Sequence, residues 1–259
     1  MTENGGNGLQ QVVESIPTRR AFVLISGLLL CRVGAAQIPS LDEILKGIEK
    51  LPKSPTGGAD NASTTAAGIK EALAIGTERA VKSLSQVNGY FANAAVKILL
   101  PPSIQKIAEF ARTAGYRKQV DAFILSMNRA AEAAAPQAVR YFADAIRTMT
   151  LEDARGILTG GGTSATDFFR RKTSRELYDA FKPIVSQKVD DVGATRAYKN
   201  LVGPYESLAM LGGQSLDLDD YVTNKSLDGL FYMVGQEEKK IRTNPAARTT
   251  ELLKAVFGR

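Results

Sequence analysis

Apolar residues recur along most of this chain at spacings of three and four, the period of a helix with one buried face. The clearest stripe lies in the stretch 120–162. Val120, Phe123, Ile124, Met127, Ala131 and Ala134 share one face. After Pro136, which suits a sharp kink and a new helix start, Val139, Phe142, Ala143, Ile146 and Met149 share another. Thr150 with Asp153 predicts the N-cap of a third, short helix, Leu151 to Leu158, closed by Gly160-Gly161-Gly162. These elements predict a central helical hairpin on which the remaining helices pack.

The same period predicts helices at 41–51, 63–84 and 103–114, the last ended by Gly115. Further on it predicts 164–172, a second helix from Ser174 to Gly193, and 194–202. Asp217 or Asp219 opens a long helix to about Thr243, Asn244-Pro245 breaks it, and 246–257 finishes the chain. Gly89-Tyr90-Phe91 and 96–100, just before Pro101-Pro102, are expected to be extended, because a residue preceding proline avoids the helical region. Little of the chain alternates with period two, so the fold class is all-α: a single multi-helix, bundle-like domain around the central hairpin.

The first 36 residues follow a different pattern. A long polar run ends in Thr18-Arg19-Arg20-Ala21-Phe22-Val23, followed by an apolar run from Ala21 to Leu30 and small residues at Gly34, Ala35 and Ala36. The apolar run is about half the ~20 residues that span a bilayer, which marks a signal peptide and not an anchor. Its paired arginines match the twin-arginine class, with an ordinary secretory signal as the alternative. Cys31 follows the large Leu30, where a lipidation signal wants a small residue. The expected organisation is therefore an export signal at 1–36, a short helix and flexible linker at 37–62, and an all-helical domain at 63–259. The mature chain would be periplasmic and would carry no transmembrane helix.

Composition removes most familiar chemistry. The 259 residues contain no histidine, no tryptophan and one cysteine, Cys31. After cleavage neither cysteine nor histidine remains, so no disulfide, zinc, haem or iron–sulfur site is expected, and no cofactor. The net charge of +6 is too small for a nucleic-acid-binding signature. Ser126 is followed by Arg129, not lysine, so the Ser-x-x-Lys nucleophile pattern is absent and no catalytic residue is assigned.

SMNRAAEAAAP (126–136), MTLEDARGILTGG (149–161), ATDFFRRKTS (165–174), SLDGLFYMVGQEEKKIR (226–242) and NPAARTTELLKAVFG (244–258) stand in this order. Through them the chain resembles the bacterial domain of unknown function family 4197 over roughly 66–258. The resemblance implies a helical and exported protein with no established activity, so it transfers no site residue.

Candidate sites rest on the residues themselves. Asn128, Arg129 and Glu132 lie beside the central apolar stripe and can hold a polar ligand, or form a salt bridge that clamps one helix to its neighbours. Gly161, Gly162 and Thr163, with Arg170 and Arg171 beyond, can cradle an anion at a helix start, or simply cap two helices. Tyr178, Tyr198, Tyr205, Tyr221 and Tyr232 can line a cleft or pack with their hydroxyls at the surface. Asp217-Leu218-Asp219-Asp220 lacks calcium-loop spacing and is better read as a cap. Glu237-Glu238-Lys239-Lys240 is expected to be a solvated face. The resulting functional expectation is an exported cell-envelope module. It would hold an apolar or amphipathic ligand between helices, or dock an envelope partner. The alternative is a hydrolase that works with carboxylates alone, Glu132 first and Asp153 second.

Overall fold

The computed structural model describes residues 59–191 and 217–257. Among these it contains eight α-helices and no strand, as the spacing predicts. They are α1 (Ala59–Ser85), α2 (Pro102–Ala111), α3 (Arg117–Ala134), α4 (Ala138–Arg147), α5 (Leu151–Thr159), α6 (Ser164–Asp191), α7 (Leu218–Thr243) and α8 (Glu251–Phe257). The predicted leader, the helix at 41–51 and the segments 194–202 and 203–215 lie outside the described residues.

The most extensive contact joins α6 to α7; α3 lies on α6, and α1 runs against α7, α8, α4 and α5. From Phe123 onward α3 is buried on most of its faces, with Phe123, Met127, Ala130, Ala131 and Ala134 inaccessible or nearly so, while its first residues, 117–119, are exposed. A helix apolar on several faces belongs inside a fold. At Pro136 the chain makes a short 3-10 turn, Ala135–Gln137, flanked by right-handed helical residues. The helical dihedrals run on through this turn, and the two limbs pack chiefly on α1 and α6. Their meeting point is aromatic. Phe142 of α4 has its ring centroid 4.8 Å from Phe169 of α6 and 6.3 Å from Phe231 of α7.

Three expectations about elements change. The two helices predicted at 164–172 and 174–193 are one helix, α6. Phe169, Thr173, Leu177, Phe181, Val185 and Val189 are all buried at intervals of four, and the Thr173 hydroxyl is satisfied by the Phe169 carbonyl at 2.8 Å, so nothing breaks the stripe. The segment expected to be extended around Tyr90 is a run of turns, and residues 97–100 belong to no regular element. α2 stops at Ala111, and a π-type turn over Arg112–Tyr116 carries the chain into α3, with Gly115 at φ 96°. That left-handed conformation is the one for which glycine is suited. The Thr150–Asp153 cap is confirmed as a reciprocal capping box, with the Asp153 amide 3.0 Å from Thr150 Oγ1. Asp217 caps α7 by accepting the Asp220 amide at 2.9 Å.

Candidate functional site

The loop between α1 and α2 is a run of turns in which the amides of Gly89, Ala92, Asn93, Val96 and Lys97 are met by carbonyls of the same segment. Three further amides, those of Tyr90, Phe91 and Ile98, are met by two side chains one helical turn apart on α3. Asn128 accepts the Ile98 amide at 2.9 Å and donates back to the Ile98 carbonyl at 2.8 Å, as a neighbouring strand would. Its second amide hydrogen goes to the Ile124 carbonyl at 2.7 Å. Glu132 Oε1 accepts the amides of Tyr90 and Phe91 at 3.1 and 3.2 Å. Its Oε2 pairs with Arg129 Nη1, and Arg129 Nη2 donates at 2.8 Å to Asn88 Oδ1.

The loop is shaped to accept this clamp. Asn88 is left-handed at φ 71°, a conformation asparagine tolerates better than most residues. A Cβ on Gly89 would stand 2.4 Å from the Ser83 carbonyl oxygen, so only glycine permits that approach. Tyr90 follows into the core and is fully buried. Its hydroxyl donates to the Ser226 carbonyl at 2.7 Å, and its ring lies where a Cβ on Gly229 would be 2.7 Å away. Burial, and then the negative charge of Glu132, hold the Tyr90 hydroxyl well above the usual tyrosine range, so it stays protonated.

A second clamp lies at the start of α6. Glu238 Oε1 accepts the Ala165 amide at 3.0 Å; Oε2 accepts the Thr166 amide at 2.9 Å and its hydroxyl at 2.8 Å. A carboxylate is favoured there because the helix N-terminus carries unpaired N–H groups and a partial positive charge. Arg242 pairs with Glu238 through Nε and Nη2, and Nη2 also donates to the Ile157 carbonyl at 2.7 Å and to Ser164 Oγ at 2.8 Å. The amides that would greet an anion at this helix start are thus already taken by the protein's own carboxylate.

The predicted site residues fall at three places. Asn128, Arg129 and Glu132 form the loop clamp. Gly161, Gly162 and Thr163 are exposed in the turn before α6, where Thr163 Oγ1 donates to Asp167 at 3.1 Å. Arg170 and Arg171 are exposed further along α6; the Arg170 guanidinium stacks 4.6 Å over the Phe231 ring and lies 4.0 Å from Asp228. No hydrogen bond or ion pair joins these three groups among the described residues. Of the tyrosines, Tyr178 donates to Asp220 and receives Lys182 Nζ at 3.0 Å, Tyr221 donates to the Leu99 carbonyl at 3.0 Å, and Tyr232 is exposed. Tyr198 and Tyr205 lie outside the described residues.

Glu237 and Glu238 are a correction. The face expected to be solvated buries both carboxylates, because Glu238 stands four residues after Val234 and three before Ile241, on the apolar stripe of α7. That position was the available signal, and the run of four charges masked it.

One hollow in the described residues is lined by side chains of several helices. Ile69, Ala72, Leu73, Gly76 and Thr77 of α1 line it together with Val234, Glu238, Ile241 and Arg242 of α7, Ile157 of α5, Phe169 of α6 and Phe257 of α8. The hollow has a volume of about 30 Å³ and is partly open to solvent. Its walls are almost wholly apolar.

The family model described as protein of unknown function (DUF4197) matches residues 60–258. The chain belongs to this family. The match spans every described helix except the first residue of α1, so both clamps and the apolar slot lie within the DUF4197 domain. No curated protein and no solved structure matches the chain. None of the described helices is long and apolar enough to cross a membrane.

Proposed function

We propose that this DUF4197 protein is an exported binding module of the cell envelope that holds an apolar or amphipathic ligand between its helices. The observation that carries this reading is a contrast inside the domain. The buried carboxylates Glu132 and Glu238, which would be the obvious reactive groups, have their oxygens committed to backbone amides and arginines. The slot between α1 and α7, in contrast, presents unfilled apolar surface. Cavities between facing helices are where bundles commonly take ligands. Export is supported by Arg19-Arg20 ahead of the apolar run and by the small residues that follow it. The sole cysteine falls within that leader, so the domain has no disulfide whose formation would depend on the compartment.

Native mass spectrometry of the protein purified from the envelope fraction tests the reading. A co-purifying small molecule that organic extraction removes is the expected result. A protein that carries nothing and takes up no amphiphile in vitro overturns it. Replacing both Arg19 and Arg20 by lysine is expected to hold the precursor in the cytoplasm; normal maturation of that variant removes the twin-arginine route and leaves the general secretory one.

A further inference from the structure

We propose that the turn joining α2 to α3 is a docking tip that seats the domain on the surface of a bilayer containing anionic lipid. The tip uses none of the residues of the clamps or the slot, and it stands whether or not the slot holds a ligand.

The tip projects because its two roots are buried and nothing between them is. Ala111, the last residue of α2, and Val120, in the first turn of α3, both lie in the core. Arg112 is half-buried, and the residues from 113 to 119 are all exposed. A Cβ added at Gly115 would meet no other atom within 4 Å. The turn packs extensively only on α2 and α3, the two helices it joins. Its shape is held from within: the Thr113 hydroxyl donates to the Phe110 carbonyl at 2.7 Å, and Arg112 pairs with Asp121 at 3.2 Å.

Two aromatic side chains stand in water at this tip. Phe110, near the end of α2, is 54% exposed, and Tyr116, immediately before α3, is 55% exposed. One exposed aromatic is ordinary on any protein surface, whereas a close pair on one projection marks a place of contact. Cations accompany them. Lys106 lies on the same face of α2 as Phe110, about 6 Å further back along the axis, and Arg117 and Lys118 follow Tyr116 directly. None of these three makes an ion pair among the described residues. The carboxylates close to the tip in sequence are Glu109 and Asp121, and Asp121 is already occupied by Arg112. Uncompensated positive charge and exposed rings therefore share one small projection.

This combination matches a lipid surface. Aromatic rings settle at the boundary between headgroups and acyl chains, and lysine and arginine reach the lipid phosphates from the water side of that boundary. A bilayer also yields to a narrow projection. A standard protein interface takes about 20–30 residues a side, more than the tip carries. No described helix is long and apolar enough to cross a membrane, so the contact is with the surface alone. Two rings and three cations give binding that is reversible and weakened by salt.

The chain contains no tryptophan, so Tyr116→Trp in the full chain supplies a single indole that reports from the tip whatever the apolar run at 21–30 does. The probes are vesicles of phosphatidylglycerol, with and without bromine on the acyl chains, and vesicles of phosphatidylcholine. Blue-shifted emission and quenching by brominated phosphatidylglycerol are expected, with binding to phosphatidylcholine about tenfold weaker and the signal lost in about 0.5 M salt. Leu151→Trp puts the indole at another exposed apolar position, the start of α5, and is expected to show no quenching. Adding Arg117→Gln and Lys118→Gln to Tyr116→Trp is expected to weaken binding about tenfold. Both residues are exposed, so the fold accepts the change, which circular dichroism checks. An indole at position 116 that no vesicle shifts, equal quenching at positions 116 and 151, or undiminished binding by the charge variant overturns the tip. A shift produced by polyglutamate or an oligonucleotide, but not by vesicles, gives the tip to an acidic macromolecule and overturns the membrane. None of these outcomes bears on the slot, whose ligand is read separately by native mass spectrometry.

Discussion

Asn128 and Glu132 stand one turn apart on α3 and between them hold three backbone amides of a loop with neither helix nor strand, those of Ile98, Tyr90 and Phe91. Spacing of four on a helix places side chains one above the other on a single face. That is the geometry needed to meet two stretches of one loop. The pairing of Arg129 with Glu132 serves the same end, because it neutralises a carboxylate that is 5% exposed.

Glu132→Gln is expected to lower stability by about 1–3 kcal/mol, since the two loop amides lose their charged acceptor and Arg129 loses its partner. Arg129→Met is expected to cost less, because its side chain is one-third exposed and Glu132 keeps both amides. The double replacement recovers part of the sum. Urea midpoints of the four proteins check this. A Glu132→Gln protein as stable as the parent would show the clamp to be dispensable.

Glu238→Ala removes the acceptor for Ala165, Thr166 and Arg242 at once and is expected to cost about 3 kcal/mol. Thr166→Val removes one neutral donor from the same carboxylate and is expected to cost about 1 kcal/mol. The ratio between the two in chemical denaturation distinguishes a networked carboxylate from a simple surface pair.

Phe142→Ala is expected to cost about 3–5 kcal/mol, because the ring is fully buried between Phe169 and Phe231 and its neighbours cannot collapse into the space. A loss below about 1 kcal/mol in equilibrium unfolding would place the ring outside the core.

Stability is expected to fall at both ends of the pH range, for different reasons. The Thr150 amide holds the Asp153 carboxyl below its usual range, assisted by Lys172 and Arg171, and the Asp220 amide does the same for Asp217, assisted by Lys182. A depressed folded-state pKa contributes stability above the unfolded value near 4, and that contribution is lost as pH falls through the folded value. Asp153→Asn should remove its share of this acid dependence. Tyr90 is shifted upward by burial, so its contribution is present below the unfolded tyrosine value near 10 and is lost as pH rises beyond it. Tyrosinate absorbance followed alongside far-ultraviolet circular dichroism should show Tyr90 ionising only as the helices unfold.

The helical fold was readable because burial on a helix leaves a period, and the apolar residues of α3, α4 and α7 keep that period closely. The Thr150–Asp153 cap was readable as well, being local chemistry decided within four residues; for α7 the same chemistry left Asp217 and Asp219 as alternatives, and Asp217 is the cap. The division of α6 was misjudged because Lys172-Thr173-Ser174 looks like a break, whereas Thr173 turns its hydroxyl back onto its own helix and keeps the stripe intact. Asn128, Arg129 and Glu132 could be selected as a group, but their partners could not. Asn88, Tyr90 and Ile98 lie 30 to 42 residues away, in a loop with no periodic signal. Glu238 was hidden for a related reason, since nothing local shows that a helix N-terminus more than 70 residues earlier will be waiting for its charge.

The delegation of loop hydrogen bonds to Asn128 and Glu132 makes the loop and α3 a single unit of opening. A loop held by weak apolar contact alone would flicker open and trade its amide hydrogens quickly. Here the amides of Tyr90, Phe91 and Ile98 come free only if α3 moves or its side chains let go, and Tyr90 is also tied to α7 through Ser226. In hydrogen–deuterium exchange those three positions should therefore be protected like residues in the middle of a core helix, although they lie in none.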